Sequence, residues 1–344
     1  MLKPRSNKSA LTASEKFRDA LVDWFSKHGK DYPWRRTRDP YAILVSEVML
    51  QQTQIATVLN RGFYTRFLAV FPDLKALAAA TDDDLLKAWE GLGYYRRVRM
   101  LRQTAQVILA EHDGKFPRDF ELLMQLPGVG RYTAGAILAF AYDQQSAVLD
   151  GNVARVLTRL MDFQFPIDDS SGQKQLWQWA EELADPKRAR IYNSALMELG
   201  QTHCRPGLPD CLPCPVACHC LSREPQCLPI KGKKNTITPM DEHALWQVDA
   251  AGNLLVHREA GARRNGLWRL PIRPAAEISN LPVLTEIIYG ITRYRVTLKV
   301  HDARDFQSPS VLRENESVLP PEEILKLAMP APFRRVIERL LADA

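Results

Sequence analysis

Phe120-Glu-Leu-Leu-Met-Gln125, Leu126-Pro-Gly-Val-Gly130 and Arg131-Tyr-Thr-Ala-Gly-Ala-Ile-Leu-Ala-Phe-Ala-Tyr142 adjoin one another, and their reading decides the fold. The outer two segments read as helices and the middle one as a glycine-rich hairpin between them. Two glycines remove the side chains that would hold a phosphate away from backbone N–H groups at a helix start. Gly128, Val129 and Gly130 are therefore candidates for a backbone grip on nucleic acid, with an ordinary interhelical turn as the alternative.

Outward from this hairpin the N-terminal two-thirds reads as consecutive helices. Thr12-Ala-Ser-Glu15 has capping-box spacing, and Phe17, Leu21, Trp24 and Phe25 follow at helical intervals. Asp39-Pro40 opens a helix through Leu50, Thr81 caps one that carries three aspartates and ends by Gly91, and Tyr94 to Glu111 forms a long one. Asp150 begins another helix, and Asp185-Pro186 the one that runs into Cys204. After Cys227 the texture changes. Residues 231–242 are polar and basic and read as a linker. Ala244–Val248 and Leu254–His257 suggest a β-hairpin, Tyr294–Val300 alternates with the period of a strand, and Phe333–Leu341 closes the chain as an amphipathic helix. The expected fold is a mainly α domain over residues 1–230 followed by an α+β domain over 243–344.

The chain has 344 residues, 46% hydrophobic and 25% charged, which is globular composition and excludes a fibrous or disordered chain. The longest nearly unbroken apolar stretch, Ala134–Tyr142, falls short of the roughly 18–20 residues of a membrane helix. A soluble, cytoplasmic monomer with no membrane partner is expected. The net charge of +6 permits a polyanionic partner without demonstrating one.

All six cysteines lie between Cys204 and Cys227. Cys204, Cys211, Cys214 and Cys220, spaced x6, x2 and x5, can wrap a [4Fe-4S] cube or hold a structural zinc. Cys218 and Cys227 fall outside that pattern. Glu47 is the only charge between Ala42 and Leu50, and apolar neighbours raise a carboxyl pKa toward the range of a general acid. Asp150 stands at a helix start, where Asp is a favoured cap; a carboxylate there could also stabilise an oxocarbenium-like sugar. Arg96, Arg97, Arg99 and Arg102 follow Tyr94-Tyr95 on one helix and are candidates for phosphate contact.

The hairpin and the cysteine spacing resemble the endonuclease III superfamily of base-excision DNA glycosylases, which carry a helix-hairpin-helix and a [4Fe-4S] loop. Trp34-Arg35, Ser46-Glu-Val-Met-Leu-Gln-Gln-Thr-Gln54, Gly91-Leu-Gly-Tyr-Tyr95, Leu126-Pro-Gly-Val-Gly-Arg-Tyr-Thr-Ala134 and Leu149-Asp-Gly-Asn-Val153 make the likeness closer to its MutY-type, adenine-excising branch, over residues 14–230. The resemblance implies a [4Fe-4S] cofactor on the four cysteines. It also implies double-stranded DNA with A:8-oxoguanine or A:G mispairs as partner, and excision of that adenine.

By the same resemblance Glu47 protonates adenine N7 and Asp150 stabilises the sugar cation. Tyr132 stands where bifunctional members carry a lysine nucleophile, and Asn152 hydrogen-bonds nearby. Gln52 and Tyr94 match residues inserted into the duplex, and Trp34 and Arg35 match the adenine pocket. Ser194 replaces a longer Gln or Glu that contacts the flipped base. The α+β domain, with Gly266-Leu-Trp-Arg-Leu-Pro271, resembles a Nudix-like lesion reader without the Glu-rich hydrolase helix. In it Ile291-Thr292-Arg293 stands in place of Phe-Ser-His, so that Thr292 keeps a hydroxyl for 8-oxoguanine. The alternatives are a thymine or uracil mismatch glycosylase, favoured by Tyr132 and Ser194, and a non-catalytic lesion binder.

Overall fold

The computed structural model describes residues 14–232, 236–261, 264–304 and 312–343. Thr12, the expected capping residue of the first helix, lies outside them. The chain divides into two compact units, one within Met1–Gln51 and Val107–Lys234, the other within Gln52–Gln106 and Asn235–Ala344.

The first unit is helical: Ser14–His28, Pro40–Leu50, Phe120–Gln125, Arg131–Tyr142, Gly151–Leu160, Ser170–Leu183 and Ala189–Thr202. Several helix starts are set by the local chemistry anticipated above. The Asp39 carboxylate accepts from the N–H groups of Tyr41 and Ala42, with Pro40 in the first turn. Asp119, which sequence reasoning does not single out, caps Phe120–Gln125 through Leu122 N–H, and each such cap is worth about 1 kcal/mol. Tyr41 through Met49 are all buried, as expected of a helix apolar on every side. A second core joins Phe17 and Leu21 to Val153, Leu157, Leu176, Tyr192 and Leu196. Between Phe120–Gln125 and Arg131–Tyr142, Gly128 takes φ +75°, a left-handed backbone that side chains resist. Gly130 is the cap of the second helix and offers no side chain to its first turn.

The second unit joins the helices Ile55–Asn60, Phe63–Val70, Leu74–Ala78, Asp82–Ala88 and most of Arg96–Glu111 to the C-terminal α+β region. Tyr95 Oη donates to Met329 O at 3.1 Å, Arg334 Nε to Glu90 at 2.9 Å, and Arg258 pairs with Asp83 at 2.6 Å. The helix after Thr81 ends at Ala88, short of Gly91, and the long helix starts at Arg96, so Tyr94 is in the preceding loop.

In the α+β region β1 (Thr238–Trp246) begins inside the stretch expected to be a linker. It pairs in parallel with β5 (Tyr294–Asp302), which pairs antiparallel with β4 (Val283–Ile291). β2 (Leu254–Arg258) lies between β3 (Trp268–Arg269) and β6 (Glu316–Leu319) in a second sheet. The expected hairpin of β1 and β2 is therefore corrected. The chain does turn back, with Leu255 N–H on Gln247 O at 2.9 Å, but apolar β1 residues are better covered beside β5, and the two strands join different sheets. The helix Ala331–Ala342 covers a core of Leu254, Val256, Leu298, Val300 and Phe333. β5 alternates as expected: Val296, Leu298 and Val300 are buried while Arg295 is exposed.

Candidate active site

Four sequence-predicted residues come together in the first unit. Glu47, on Pro40–Leu50, is 5% exposed. Burial, first, and the Asp150 charge push its pKa from 4.5 up to about 7, while a hydrogen bond from Tyr132 pulls the other way. That bond runs from Tyr132 Oη, at the start of Arg131–Tyr142, to Glu47 Oε2 at 2.5 Å. The phenol itself is raised well above its usual value by burial and the two carboxylates, so it stays a neutral donor. Asp150 caps Gly151–Leu160, accepting from Asn152 N–H at 2.9 Å, Val153 N–H at 2.7 Å and Asn152 Nδ2 at 2.8 Å. Burial raises its pKa; these three donors and the nearby Arg155 cation oppose that rise. The same carboxylate serves as cap and as site residue. The arrangement sets an acid that holds its proton near neutrality beside a second carboxylate steadied by fixed N–H dipoles, as paired acid and charge-stabilising roles require.

Sequence reasoning misses Arg155 and Arg159 as site residues, although two cations four residues apart on an otherwise uncharged helix are a readable signal. Arg155 donates to Asn152 Oδ1 at 2.9 Å, Gly200 O at 2.6 Å and Cys204 O at 2.7 Å. Gly200 is there because a Cβ would lie 2.7 Å from that of Asn152. Arg159, 1% exposed, donates to Leu228 O, Arg205 O and Gly207 O and approaches Cys204 Sγ at 3.4 Å.

Cys204, Cys211, Cys214 and Cys220 line one cavity of about 140 Å3 with Arg159, Val156 and Leu199; Cys218 and Cys227 do not line it. Burial, first, pushes the Cys214 thiol up to about 11, and the charges of the other three cysteines add to this. The four sulfurs thus share one enclosure. Among the described residues no group of three or more His, Cys, Asp or Glu side chains is arranged to hold a single metal ion.

Trp34 is buried and stacked on Tyr32, with centroids 5.3 Å apart. The Arg35 guanidinium lies 4.9 Å from the Phe25 ring and 4.7 Å from Tyr32, and pairs with Glu198, which is fully buried. Glu198 also accepts from Lys30 N–H at 2.9 Å. Sequence reasoning misses it too, although it is the only charge between Ile191 and Gly200, the same signal that marks Glu47. Ser194 is buried on that helix, one turn before Glu198. At the hairpin, Val129 N–H donates to Leu126 O at 3.1 Å and is engaged in the turn.

Gln52, Tyr94 and Thr292 belong to the second unit. Each is exposed and has a left-handed backbone, with φ 58°, 47° and 53°. For non-glycine residues this costs about 1–3 kcal/mol apiece and gathers at functional positions. Thr292 and Arg293 form the two-residue turn between β4 and β5, paired at Ile291 and Tyr294. Arg293 lies over the Tyr294 ring at 5.2 Å. Of the four arginines expected to face phosphate, three have other commitments. Arg102 donates to Ala80 O and Asp82, Arg99 to Asn265 O, and Arg97 to Leu92 O and Gly93 O. Arg96 is exposed. Lys299 on β5 pairs with Asp241 on β1 at 3.8 Å.

Residues 45–182 match the family described as HhH-GPD superfamily base excision DNA repair protein. Over that stretch the chain is similar to the HhH-GPD superfamily. It is 45% identical over 217 residues to the adenine DNA glycosylase of Homo sapiens, covering 60% of this chain and 39% of the human protein. With the adenine DNA glycosylase of Arabidopsis thaliana it shares 33% identity over 301 residues, 75% of this chain and 47% of the plant protein. The chain thus spans less than half the length of these curated relatives. Among solved structures, a thermostable thymine-DNA glycosylase superposes with TM-score 0.56 at 28% identity, covering 62% of this chain and 99% of that one. Among the described residues no helix is long and apolar enough to cross a membrane.

Proposed function

We propose that this protein is a monofunctional DNA glycosylase that flips adenine out of A:8-oxoguanine or A:G mispairs and hydrolyses its N-glycosidic bond. The observation that carries the reading is the buried Glu47 carboxyl, protonated up to about pH 7, joined to Tyr132 and set against Asp150. Glu47 gives its proton to adenine N7, so the base leaves neutral when the C1′–N9 bond breaks. The Asp150 carboxylate, held by Asn152 and Val153, stabilises the positive sugar until water adds at C1′. Trp34 and Arg35, fixed by Tyr32 and Glu198, shape the base pocket. Gln52 and Tyr94 fill the space that the flipped base leaves, which lowers the cost of unstacking.

The cofactor we propose is a [4Fe-4S] cluster on Cys204, Cys211, Cys214 and Cys220, and the cavity that these four cysteines line together supports it. When bound it supplies a covalent staple for the loop. The C-terminal region, two three-stranded sheets with an exposed Thr292-Arg293 turn, is proposed as a Nudix-like reader of the base opposite adenine. The helix that follows Pro271, Ala275–Ile278, carries the single acid Glu277, which does not suit nucleotide hydrolysis.

A second reading, excision of thymine or uracil opposite guanine, is favoured by Ser194 and by the likeness to a thymine-DNA glycosylase. Single-turnover rates on duplexes bearing A:8-oxoguanine, A:G, T:G and U:G separate the two: adenine release alone is expected, and faster T:G release would establish the second. Measured against pH, the adenine rate should fall tenfold per unit above about pH 7, as the Glu47 proton is lost. It should also fall in acid, once Asp150 is neutralised. A rate flat from pH 6 to 9 would remove Glu47 as the proton donor.

Tyr132 has no amine, so no Schiff base can form there. Borohydride should trap no protein on DNA, and strand breaks should appear only after alkali. Efficient trapping would point to an amine elsewhere in the site.

A further inference from the structure

Tyr94 is a half-exposed aromatic with φ 47°, between Gly93 at φ 69° and the helix start at Arg96. A bulky residue rarely adopts that backbone unaided, so neighbouring groups must over-determine it. Trp89, fully buried, donates from Nε1 to Gly93 O at 3.1 Å. Arg97 Nη2 reaches both Leu92 O at 3.1 Å and Gly93 O at 3.2 Å, and Arg97 N–H binds Tyr94 O at 2.9 Å. The guanidinium carbon stands 5.5 Å from the Trp89 ring centroid and 5.5 Å from that of Tyr94. One planar cation therefore ties the loop carbonyls to a fixed indole and presents its face to the exposed phenol, within the range of a cation–π contact.

From this geometry we infer that Arg97 is a positioning residue for base flipping, holding Tyr94 in its insertion-ready conformation rather than contacting phosphate. The inference rests on the proposed role of Tyr94 as the inserted residue. Burial fits it: desolvation lowers the Arg97 pKa to about 10, the mark of a cation withdrawn from water and occupied by its neighbours. A lysine could donate to the carbonyls but has no plane to lie between two rings.

The test is a two-by-two cycle of Tyr94→Ala and Arg97→Lys in the full chain. It is read by the fluorescence of 2-aminopurine placed opposite 8-oxoguanine, by the single-turnover rate on the adenine duplex, and by the salt dependence of binding to a matched duplex. Each single variant should lower the flipped signal and the rate about tenfold. In the Tyr94→Ala background, Arg97→Lys should cost less than twofold more, because what Arg97 positions is already gone. Melting temperature and salt slope should match wild type. Multiplying effects, or a salt slope lower by about one ion, would overturn the role of Arg97 while leaving the wedge in place. A neutral Tyr94→Ala would overturn the wedge reading and the inference with it. If Arg97→Lys does not fold, Trp89→Phe, which removes the donor to Gly93 O, takes its place in the cycle, with the same Tyr94-dependent loss expected and independent losses again overturning the inference.

Discussion

Replacing Glu47 with glutamine is expected to leave mismatch binding intact and reduce single-turnover base release about a thousandfold, within the 10²–10⁴ range of general-acid catalysis. The shape survives: the substituted amide would keep an oxygen for Tyr132 Oη, so the 2.5 Å bond of the native pair has a successor. What disappears is the proton. Stability supplies the control that separates this loss from misfolding. In the native protein the Glu47 carboxyl holds its proton up to about pH 7, against 4.5 for the free group. Folding therefore gains from the protonated form at low pH, and that gain is lost as pH rises from about 4.5 through 7, by up to about 1.4 kcal/mol per unit. The glutamine variant has no such term. Its melting temperature relative to wild type should rise between pH 5 and pH 8. Near-normal excision would remove Glu47 from the chemistry, and a melting temperature that drops at every pH would show that the substitution acts through packing.

The second large effect is expected at the cysteine loop. The purified protein should be brown, with about four irons per chain. Cys214→Ala should lose that iron and melt more than ten degrees lower, since metal binding of this kind is folding energy. Cys204, Cys214 and Cys220 pack against the core that holds Leu157, Leu196 and Leu199, so loosening the loop opens one face of that core. Cys218→Ala and Cys227→Ala should leave iron content unchanged. Stoichiometric zinc without visible absorption would overturn the cluster, and iron retained by Cys214→Ala would overturn the ligand set.

Helix starts are legible in the sequence where a cap announces itself within three residues, as at Asp39, Thr81 and Asp150, because the hydrogen bonds involved are local. The Glu47 carboxylate is legible for a related reason: a lone charge in an apolar helix must have a partner or a task. Glu198 carries the same mark yet escapes notice, because its partner, Arg35, is 163 residues away. β1 reads as half of a hairpin because nothing near residue 244 announces a parallel partner at residue 300. Nor does the sequence around Glu90 signal that its carboxylate is taken by Arg334 and by Met329 N–H. Three of the four arginines after Tyr94 look cationic in sequence and are committed in space.

The interleaving of the two units along the chain bears on how the protein is made. The helical unit needs Met1–Gln51 and Val107–Lys234, so it can close once residue 234 has left the ribosome. Residues Gln52–Gln106 emerge early but belong with Asn235–Ala344. At about 5–20 residues per second, another hundred residues take on the order of 5–20 s to synthesise. During that interval Asp83, Glu90 and Tyr95 wait for Arg258, Arg334 and Met329. The segment that carries Gln52 and Tyr94 is thus the last part of the first hundred residues to reach its native partners, and the nascent chain holds the loop proposed to enter DNA unfinished until residues as far on as Arg334 have been made.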